Sequence, residues 1–346
     1  MKILIVKMSS MGDIFHTFPS ISDLKAHHPD AEIHWLVEES FAEIAAWHPA
    51  VNKIIPVALR RWMKNKGLAS FKAYREWRKA LREETYDIII DAQGLLKSGI
   101  LAKSAKGTLH GYDKQSAREP INCWFQDISH FVEKNQHAVN RTRLLFAKTF
   151  NYALNSKLNF GIQEHFAHVQ KRSNQLVFVI GTSWSTKLWS EDGWIALAKI
   201  ALEKGFAVEI IWGSDDEKAL AQRIIDACPN ATRPQERMSI TAVAEKLVAA
   251  AGVVGLDTGF AHLAGALEIP TLSIYGPTSP DKVGLIGDHT CNFQLTPALA
   301  CMPCHKRYCK LLPEHSQDTP PCMNQITANH VWEQLERKLF NPHITF

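Results

Sequence analysis

No stretch of this 346-residue chain approaches the roughly 18 consecutive apolar residues that a membrane-spanning helix needs. The longest clean apolar run covers 247–256 and is closed by Lys246 and Asp257. The opening Met1-Lys2-Ile3-Leu4-Ile5-Val6-Lys7 is too short for the apolar segment of a secretion signal, and Lys7 interrupts it. The expectation is a cytoplasmic protein that is not exported. Seven cysteines make an odd number, and a chain of this length does not need disulfide staples, so a reducing compartment fits. With 18 glycines, 16 prolines and 21% charged residues, collagen-like and disordered classes are excluded. Neither half opens with G-x-G-x-x-G, and G-x-x-x-x-G-K-[ST], H-E-x-x-H and G-x-S-x-G are missing. Those absences weigh against nicotinamide dehydrogenases, P-loop NTPases, zinc peptidases and serine hydrolases.

What the chain does have is 46% apolar residues, enough for two packed cores at roughly 150 residues per domain. Its net charge of +4 conceals a division. Residues 60–82 hold nine lysines and arginines against one acid, Glu76, a local +8, while the rest of the chain carries −4. Trp62, Met63, Leu68, Phe71 and Trp77 are threaded through the same segment. Such a stretch can sit on an anionic membrane, at about 1 kcal/mol per base near the surface. It can equally track nucleic-acid phosphates, or be a solvated helix face.

The hydrophobic pattern alternates strand, loop and helix. Short apolar runs at 3–6, 33–37, 53–57 and 86–91 read as strands, with helical periodicity over 13–27, 41–47 and 70–83. A long helical segment over 137–154 closes this half, and polar sequence over 155–174 reads as a linker. The pattern then restarts with strands at 176–180, 206–212, 253–257 and 271–275. Helices are expected at 190–204, 214–228, 239–250, 258–267 and 327–339. Continuous apolar strands belong to a parallel sheet covered on both faces, so the fold class is α/β with two doubly wound domains facing a cleft. Ligands should bind at the carboxyl ends of the strands. Two nucleotide-type domains without dinucleotide signatures point toward a nucleotide-sugar enzyme.

Three loops carry candidate chemistry. In Lys7-Met8-Ser9-Ser10-Met11-Gly12-Asp13, Gly12 permits a tight turn, and Asp13 lies at a helix N-terminus, either as a cap or as an ionised base. In Asp257-Thr258-Gly259-Phe260-Ala261-His262, a buried strand ends and a helix begins, offering free amides to a diphosphate. His262 lies four residues beyond Thr258 on the same helical face. In Thr182-Ser183-Trp184-Ser185-Thr186-Lys187, hydroxyls and a lysine can bind a diphosphate and neutralise a departing nucleotide. A carboxylate in Gly213-Ser214-Asp215-Asp216-Glu217 can accept from ribose hydroxyls, or simply complement a helix dipole.

Together with Asp91-Ala92-Gln93-Gly94-Leu95-Leu96-Lys97-Ser98, Arg60-Arg61-Trp62, Ala117-Arg118-Glu119-Pro120 and Gln136-His137-Ala138-Val139, these loops resemble the lipopolysaccharide heptosyltransferases of glycosyltransferase family 9. The likeness is nearest to the branch that adds the first heptose, and runs collinearly from residue 1 to about 280. It implies a GT-B fold with an N-terminal acceptor domain (1–160), a C-terminal nucleotide-sugar domain (161–326) and a C-terminal helix (327–346) packing back toward the first. It also implies inverting transfer from ADP-L-glycero-D-manno-heptose to Kdo of Kdo-lipid A, by a peripheral enzyme at the cytoplasmic face of the inner membrane. By motif, Asp13 would be the general base. Thr182, Ser183 and Lys187 would hold the diphosphate, with Glu217 and Met238 near the nucleoside and Asp257, Thr258, Gly259 and His262 completing the donor site. Arg60, Arg61, Lys64 and Arg118 would face the anionic acceptor, and the +8 segment would meet the membrane rather than nucleic acid. No metal-holding D-x-D sequence occurs, so no cofactor is expected. Rival expectations are a heptosyltransferase acting on a later core heptose, a nucleotide-sugar epimerase, and a nucleic-acid-binding protein.

The segment Cys301-Met302-Pro303-Cys304-His305-Lys306-Arg307-Tyr308-Cys309, with Cys322 beyond it, departs from the resemblance. Four cysteines opening on C-x₂-C could form a tetrahedral zinc site, although a second close pair is missing; free thiols or a reversible disulfide are the alternatives. Lys306-Arg307 could also contact acceptor phosphate.

Overall fold

The computed structural model describes residues 1–65, 67–172, 174–313, 316 and 318–340. The chain divides into two compact units, Met1–His165 and a second beginning at Phe166. The first unit contains strands β1 (Lys2–Val6), β2 (Glu32–Glu38), β3 (Val51–Val57), β4 (Ile88–Asp91), β5 (Thr108–Tyr112) and β6 (Ile128–His130). They form one sheet in the order β3-β2-β1-β4-β5-β6, parallel throughout. The second contains β7 (Gln175–Val179), β8 (Ala207–Ile211), β9 (Ala231–Thr232), β10 (Gly252–Leu256), β11 (Thr271–Tyr275) and β12 (Thr290–Gln294). Their order is β12-β11-β10-β7-β8-β9, again all parallel.

Central strands without polar residues are buried on both faces, as a helix-covered parallel sheet demands: Ile3 to Val6 and Leu176 to Phe178 have no exposed surface. The doubly wound α/β class expected from the pattern is therefore present in both units. In each sheet the strand order reverses once, between β1 and β4 and between β7 and β10, and a crevice opens there at the carboxyl edge.

Four expectations need correction. The helix expected over 13–27 is two, Met11–Phe15 and Phe18–His27. Pro19 has no amide to continue the first, while Thr17 becomes the N-cap of the second and bonds its hydroxyl to the Asp13 carbonyl at 2.9 Å. The unit boundary falls after His165 rather than 160, because Phe160 and Ile162 are buried and Arg143 donates to the Asn155 carbonyl. Four strands, β5, β6, β9 and β12, were not expected, since each is short or interrupted by polar residues. The C-terminal helix Ala328–Phe340 belongs to the core of the second unit: Val331, Trp332 and Leu335 join its buried cluster, and Trp332 meets Phe206 edge-on at 5.8 Å. That apolar stripe covers a sheet face that would otherwise be wet. Residues 341–346 of the expected terminal segment lie outside the described residues.

The basic segment forms two helices, Leu59–Lys64 and Leu68–Leu81. Its aromatic residues divide by face. Trp62, Tyr74 and Trp77 make a mutually packed triad with ring centroids about 6 Å apart, and join the first unit's core. Trp77 Nε1 donates to the Pro56 carbonyl at 3.0 Å. Met63, Leu68 and Phe71 instead face solvent. Among the described residues no helix is long and apolar enough to cross a membrane.

Leu335 is fully buried in the second core, so Leu335→Ala should cost roughly 2–5 kcal/mol. The check is a lowered urea midpoint, with the first unit's unfolding unchanged where the two transitions separate.

Candidate active site

At the carboxyl edge of the first sheet, the loop leaving β1 is held from three sides. Gln93 Oε1 accepts from the amides of Met8 (3.0 Å) and Ser9 (3.2 Å). Asp91, at the end of β4, accepts from the amides of Gln93 and Gly94, from Ser98 Oγ at 2.8 Å and from Asn122 Nδ2 at 2.8 Å. Burial lifts its carboxyl above the usual value against those bonds. Gly94 turns this loop at φ +66°, where a side chain would press on Tyr112 and on the Arg118 amide.

Asp13 sits on this platform. Ser10 is the N-cap of the helix Met11–Phe15 and Asp13 its third residue, so its carboxylate reaches back to the cap. Oδ2 accepts from Ser10 N (2.8 Å) and Ser10 Oγ (3.1 Å), and Oδ1 lies 3.9 Å from Lys7 Nζ. Partial burial pushes the Asp13 carboxyl up, but Lys7, His16 and the Ser10 hydrogen bonds outweigh it and hold it below the usual carboxylate range. Burial pushes the Lys7 ammonium down, opposed by Asp13 and Asp91 and reinforced by nearby Arg141 and Arg118.

Of the expected acceptor cations, the structure therefore brings Arg118 into the surroundings of Asp13, exposed beside Arg141. Arg60, Arg61 and Lys64 stand on the short helix Leu59–Lys64. The Arg60 amide donates to Glu38 Oε1 at 3.1 Å, and the Glu38 amide donates to the Met8 carbonyl at 3.2 Å, so that helix is tied to the β1 loop. The Arg60 guanidinium lies over the Phe41 ring, Arg61 forks onto Glu39 at 2.9 and 3.1 Å, and Lys64 is exposed.

In the second unit the centre is Asp257, 7% exposed at the end of β10. Lys187 Nζ lies 2.6 Å from its Oδ2, Thr278 Oγ1 donates to the same oxygen at 2.6 Å, and His262 Nε2 is 3.7 Å from Oδ1. Burial pushes the Asp257 carboxyl up, yet His262 and Lys187 together bring it far below the ordinary range. Thr182 Oγ1 donates to the Asp257 carbonyl at 3.3 Å, bringing the β7 loop against the β10 loop. Thr258 is the N-cap of the helix Gly259–Ala266, whose first amides remain available to an anion, and Ser183 is exposed beside it on the β7 loop. The Glu217 amide donates to Ser214 Oγ at 3.3 Å, its carboxylate accepts from the Gly213 amide at 2.6 Å, and that carboxylate lies so close over Gly181 that a side chain there would displace it. Met238 stands apart from this cluster, half-buried ahead of the helix Ile240–Ala249.

Several participants had no expected role. Thr278 follows β11 as Asp257 follows β10, and that strand-end position is the signal that could have found it. Lys7 could have been found as a charge ending a buried apolar strand. Arg141, which lies over Tyr112 at 5.2 Å, carried no sequence signal.

The cysteine segment leans on the donor loop. Thr186 Oγ1 donates to the Lys306 carbonyl at 2.9 Å, and Arg307 lies 5.1 Å over Trp184, whose other neighbour is the Lys187 ammonium at 4.5 Å. Cys301, Cys304, Cys309 and Cys322 line one cavity of about 380 Å³. Their thiols are free, and among the described residues no three cysteines, histidines or carboxylates are set as a metal-ligand group.

The family model for glycosyltransferase family 9 (heptosyltransferase) matches residues 74–315. The chain belongs to this family. The lipopolysaccharide heptosyltransferase 1 of Pseudomonas aeruginosa is 40% identical over 356 residues, covering 99% of each chain. The structure of E. coli heptosyltransferase WaaC with ADP matches 98% of this chain and 100% of its own at 35% identity, with a TM-score of 0.84. The same enzyme with ADP-2-deoxy-2-fluoro heptose gives a TM-score of 0.83 at 35% identity over 97% of this chain and 99% of its own. The fold is thus of the GT-B type and the chain a glycosyltransferase.

Asp257 carries a linkage consequence. Its folded carboxyl is depressed, so its stabilisation is complete above about pH 4 and lost as pH falls toward the folded value. Lys187→Met should destabilise the second unit by roughly 3–5 kcal/mol at pH 7, because it strips a partner from a buried charge. Urea unfolding at pH 7 and pH 3 should show this deficit shrinking at the lower pH.

Proposed function

We propose that this family 9 enzyme transfers L-glycero-D-manno-heptose from ADP-heptose to the Kdo of Kdo-lipid A, adding the first heptose of the lipopolysaccharide inner core at an anionic membrane surface. The observation that carries the reading is the 40% identity, over essentially the whole of both chains, to a lipopolysaccharide heptosyltransferase 1. The likeness to WaaC with ADP and with an ADP-heptose analogue supports the donor.

In this reading the Asp13 carboxylate, kept ionised by Lys7 and Ser10, accepts the proton of the acceptor hydroxyl. The oxygen attacks the anomeric carbon from the face opposite the β-linked ADP, the carbon–oxygen bond to ADP breaks, and the new bond is α. The charge appearing on ADP is met by Lys187, by the hydroxyls of Thr182 and Ser183, and by the amide end at Thr258 and Gly259. No metal ion is assigned a step. Glu217, beside Gly181, accepts from the ribose, and Met238 flanks the nucleoside. Asp257 and His262 hold the lysine in place. Arg60, Arg61, Lys64 and Arg118 receive the anionic acceptor. A later-core heptose acceptor is the rival within the class, and nucleotide-sugar epimerisation the rival outside it.

Mass spectrometry of product from ADP-heptose with either Kdo-lipid A or an already heptosylated acceptor tests the reading. Heptosylation of Kdo-lipid A alone supports it; heptosylation only of the later acceptor, or epimerised donor without acceptor, contradicts it. Asp13→Asn should lower kcat about 10²–10⁴-fold. The acid limb of kcat/KM should lie below the ordinary carboxylate range in wild type, since protonated Asp13 cannot accept a proton, and should move upward in Lys7→Met, where only His16 and the Ser10 hydrogen bonds still oppose burial.

A further inference from the structure

We propose that the outer face of the helix Leu68–Leu81, with the cationic hollow at its C-terminal end, is a docking site for the phosphate headgroups of an anionic phospholipid bilayer, separate from the acceptor subsite. The proposal deepens the membrane-surface part of the function above and does not depend on the reaction. The hollow, about 520 Å³, is lined by Arg75, Arg78, Lys79, Arg82, Lys106 and a single acid, Glu83.

Three observations separate this cluster from ordinary surface charge. The first is pairing. Some bases elsewhere on the unit are paired: Lys2 and Lys53 share Glu84, Lys103 pairs with Asp127 and Arg61 with Glu39. Among the described residues, none of the five bases of the hollow has a carboxylate partner within ion-pair distance; Arg75 rests over the Phe71 ring at 6.0 Å and Arg82 donates to the Ser104 carbonyl at 3.3 Å. Their mutual repulsion is uncompensated unless an external anion supplies the opposite charge.

The second is position. The strands are parallel, and Arg82 and Lys106 lie ahead of β4 and β5, with the Tyr86 amide bonded to the Lys106 carbonyl at 2.8 Å. Asp13 and Gln93 lie beyond the opposite ends of β1 and β4. Five-residue strands put roughly 16 Å between the two edges. The hollow therefore stands away from the acceptor hydroxyl, and the +8 segment serves two places: Arg60, Arg61 and Lys64 at the carboxyl edge, and Arg75, Arg78, Lys79 and Arg82 at the amino edge.

The third is the stripe that joins them. Leu68, Phe71, Arg75, Arg78 and Arg82 recur at spacings of three and four, which puts them along one side of a helix about 21 Å long. Leu68 is 89% exposed and Phe71 59%, while Tyr74, Trp77 and Leu81 anchor the opposite side in the core. Exposed apolar groups at one end and unpaired cations at the other, on one straight line, match a plane of acyl chains and phosphates. A nucleic acid offers phosphates but nothing for Leu68.

The test is co-sedimentation of the full chain with phosphatidylcholine vesicles, with and without phosphatidylglycerol. Wild type should bind the anionic vesicles, less at high salt, and not the neutral ones. Arg75→Glu/Arg78→Glu/Lys79→Glu, all at exposed positions, should weaken binding at least ~10-fold, and Leu68→Ser/Phe71→Ser should also weaken it. Lys114→Glu/Lys134→Glu, a charge change elsewhere on the unit, should not. Both stripe variants should keep wild-type circular dichroism and wild-type heptosyl transfer to a delipidated soluble acceptor. Equal vesicle binding by wild type and the triple variant, or an equal loss in the Lys114/Lys134 control, overturns the proposal. So does tighter binding to short RNA or DNA than to anionic vesicles at physiological salt. Vesicle binding abolished by the triple variant supports the docking site even in a protein without transfer activity, whereas transfer without vesicle binding overturns the docking site and leaves the reaction standing.

Discussion

Parallel pairing sends the carboxyl ends of all six strands in each sheet to one edge, and the order of those strands reverses at a single place. At that reversal the loops from two neighbouring strands diverge to opposite faces and leave a crevice lined by backbone amides and strand-end side chains. The candidate site residues of both units gather there. In the first unit the loops after β1 and β4 are stitched together by Gln93 and Asp91, which present Asp13. In the second, the loops after β7 and β10 are stitched by Thr182 and Lys187 onto Asp257, which leaves the amide end of the next helix open to an anion. The cations around Arg78 gather at the opposite, amino edge of the first sheet.

Both units use a lysine beside an aspartate, to different ends. Lys187 and Asp257 are 2.6 Å apart, both nearly buried, with Thr278 and His262 filling the remaining carboxylate positions. A pair so close fixes where the Lys187 ammonium stands. Lys7 and Asp13 are 3.9 Å apart, the lysine buried and the aspartate side chain 29% exposed. Here the lysine keeps the carboxylate ionised while leaving an oxygen accessible, which is the combination a proton acceptor requires.

How much of this was legible depends on what each segment had to satisfy. Strands with uninterrupted β-branched and apolar residues, such as β1, β7 and β10, declare themselves because they are buried on both faces. The sheet-edge and short strands β6, β9 and β12 do not, because a strand with one neighbour tolerates serine, threonine and asparagine. The break at Thr17 was written in Pro19, yet helical periodicity runs straight through it. The C-terminal helix was legible as a helix, but which core its stripe of Val331, Trp332 and Leu335 covers is a tertiary question. At the site, Asp13, Lys187 and Asp257 could be found because strand–loop–helix junctions concentrate function. Arg141 could not, since it reaches the site from an element distant in sequence. The four cysteines show the converse: their spacing leaves metal ligation, free thiols and a reversible disulfide open, and the fold gathers them around one cavity.

The central claim is a division of labour, with the nucleotide held by the second unit alone and Asp13 reserved for the acceptor. Calorimetric titration of ADP into wild type, Asp13→Ala and Lys187→Met tests it most directly. ADP affinity should be unchanged in Asp13→Ala and at least ~10-fold weaker in Lys187→Met, which loses a charged contact to phosphate. Equal losses in both variants, or full affinity in Lys187→Met, would contradict it.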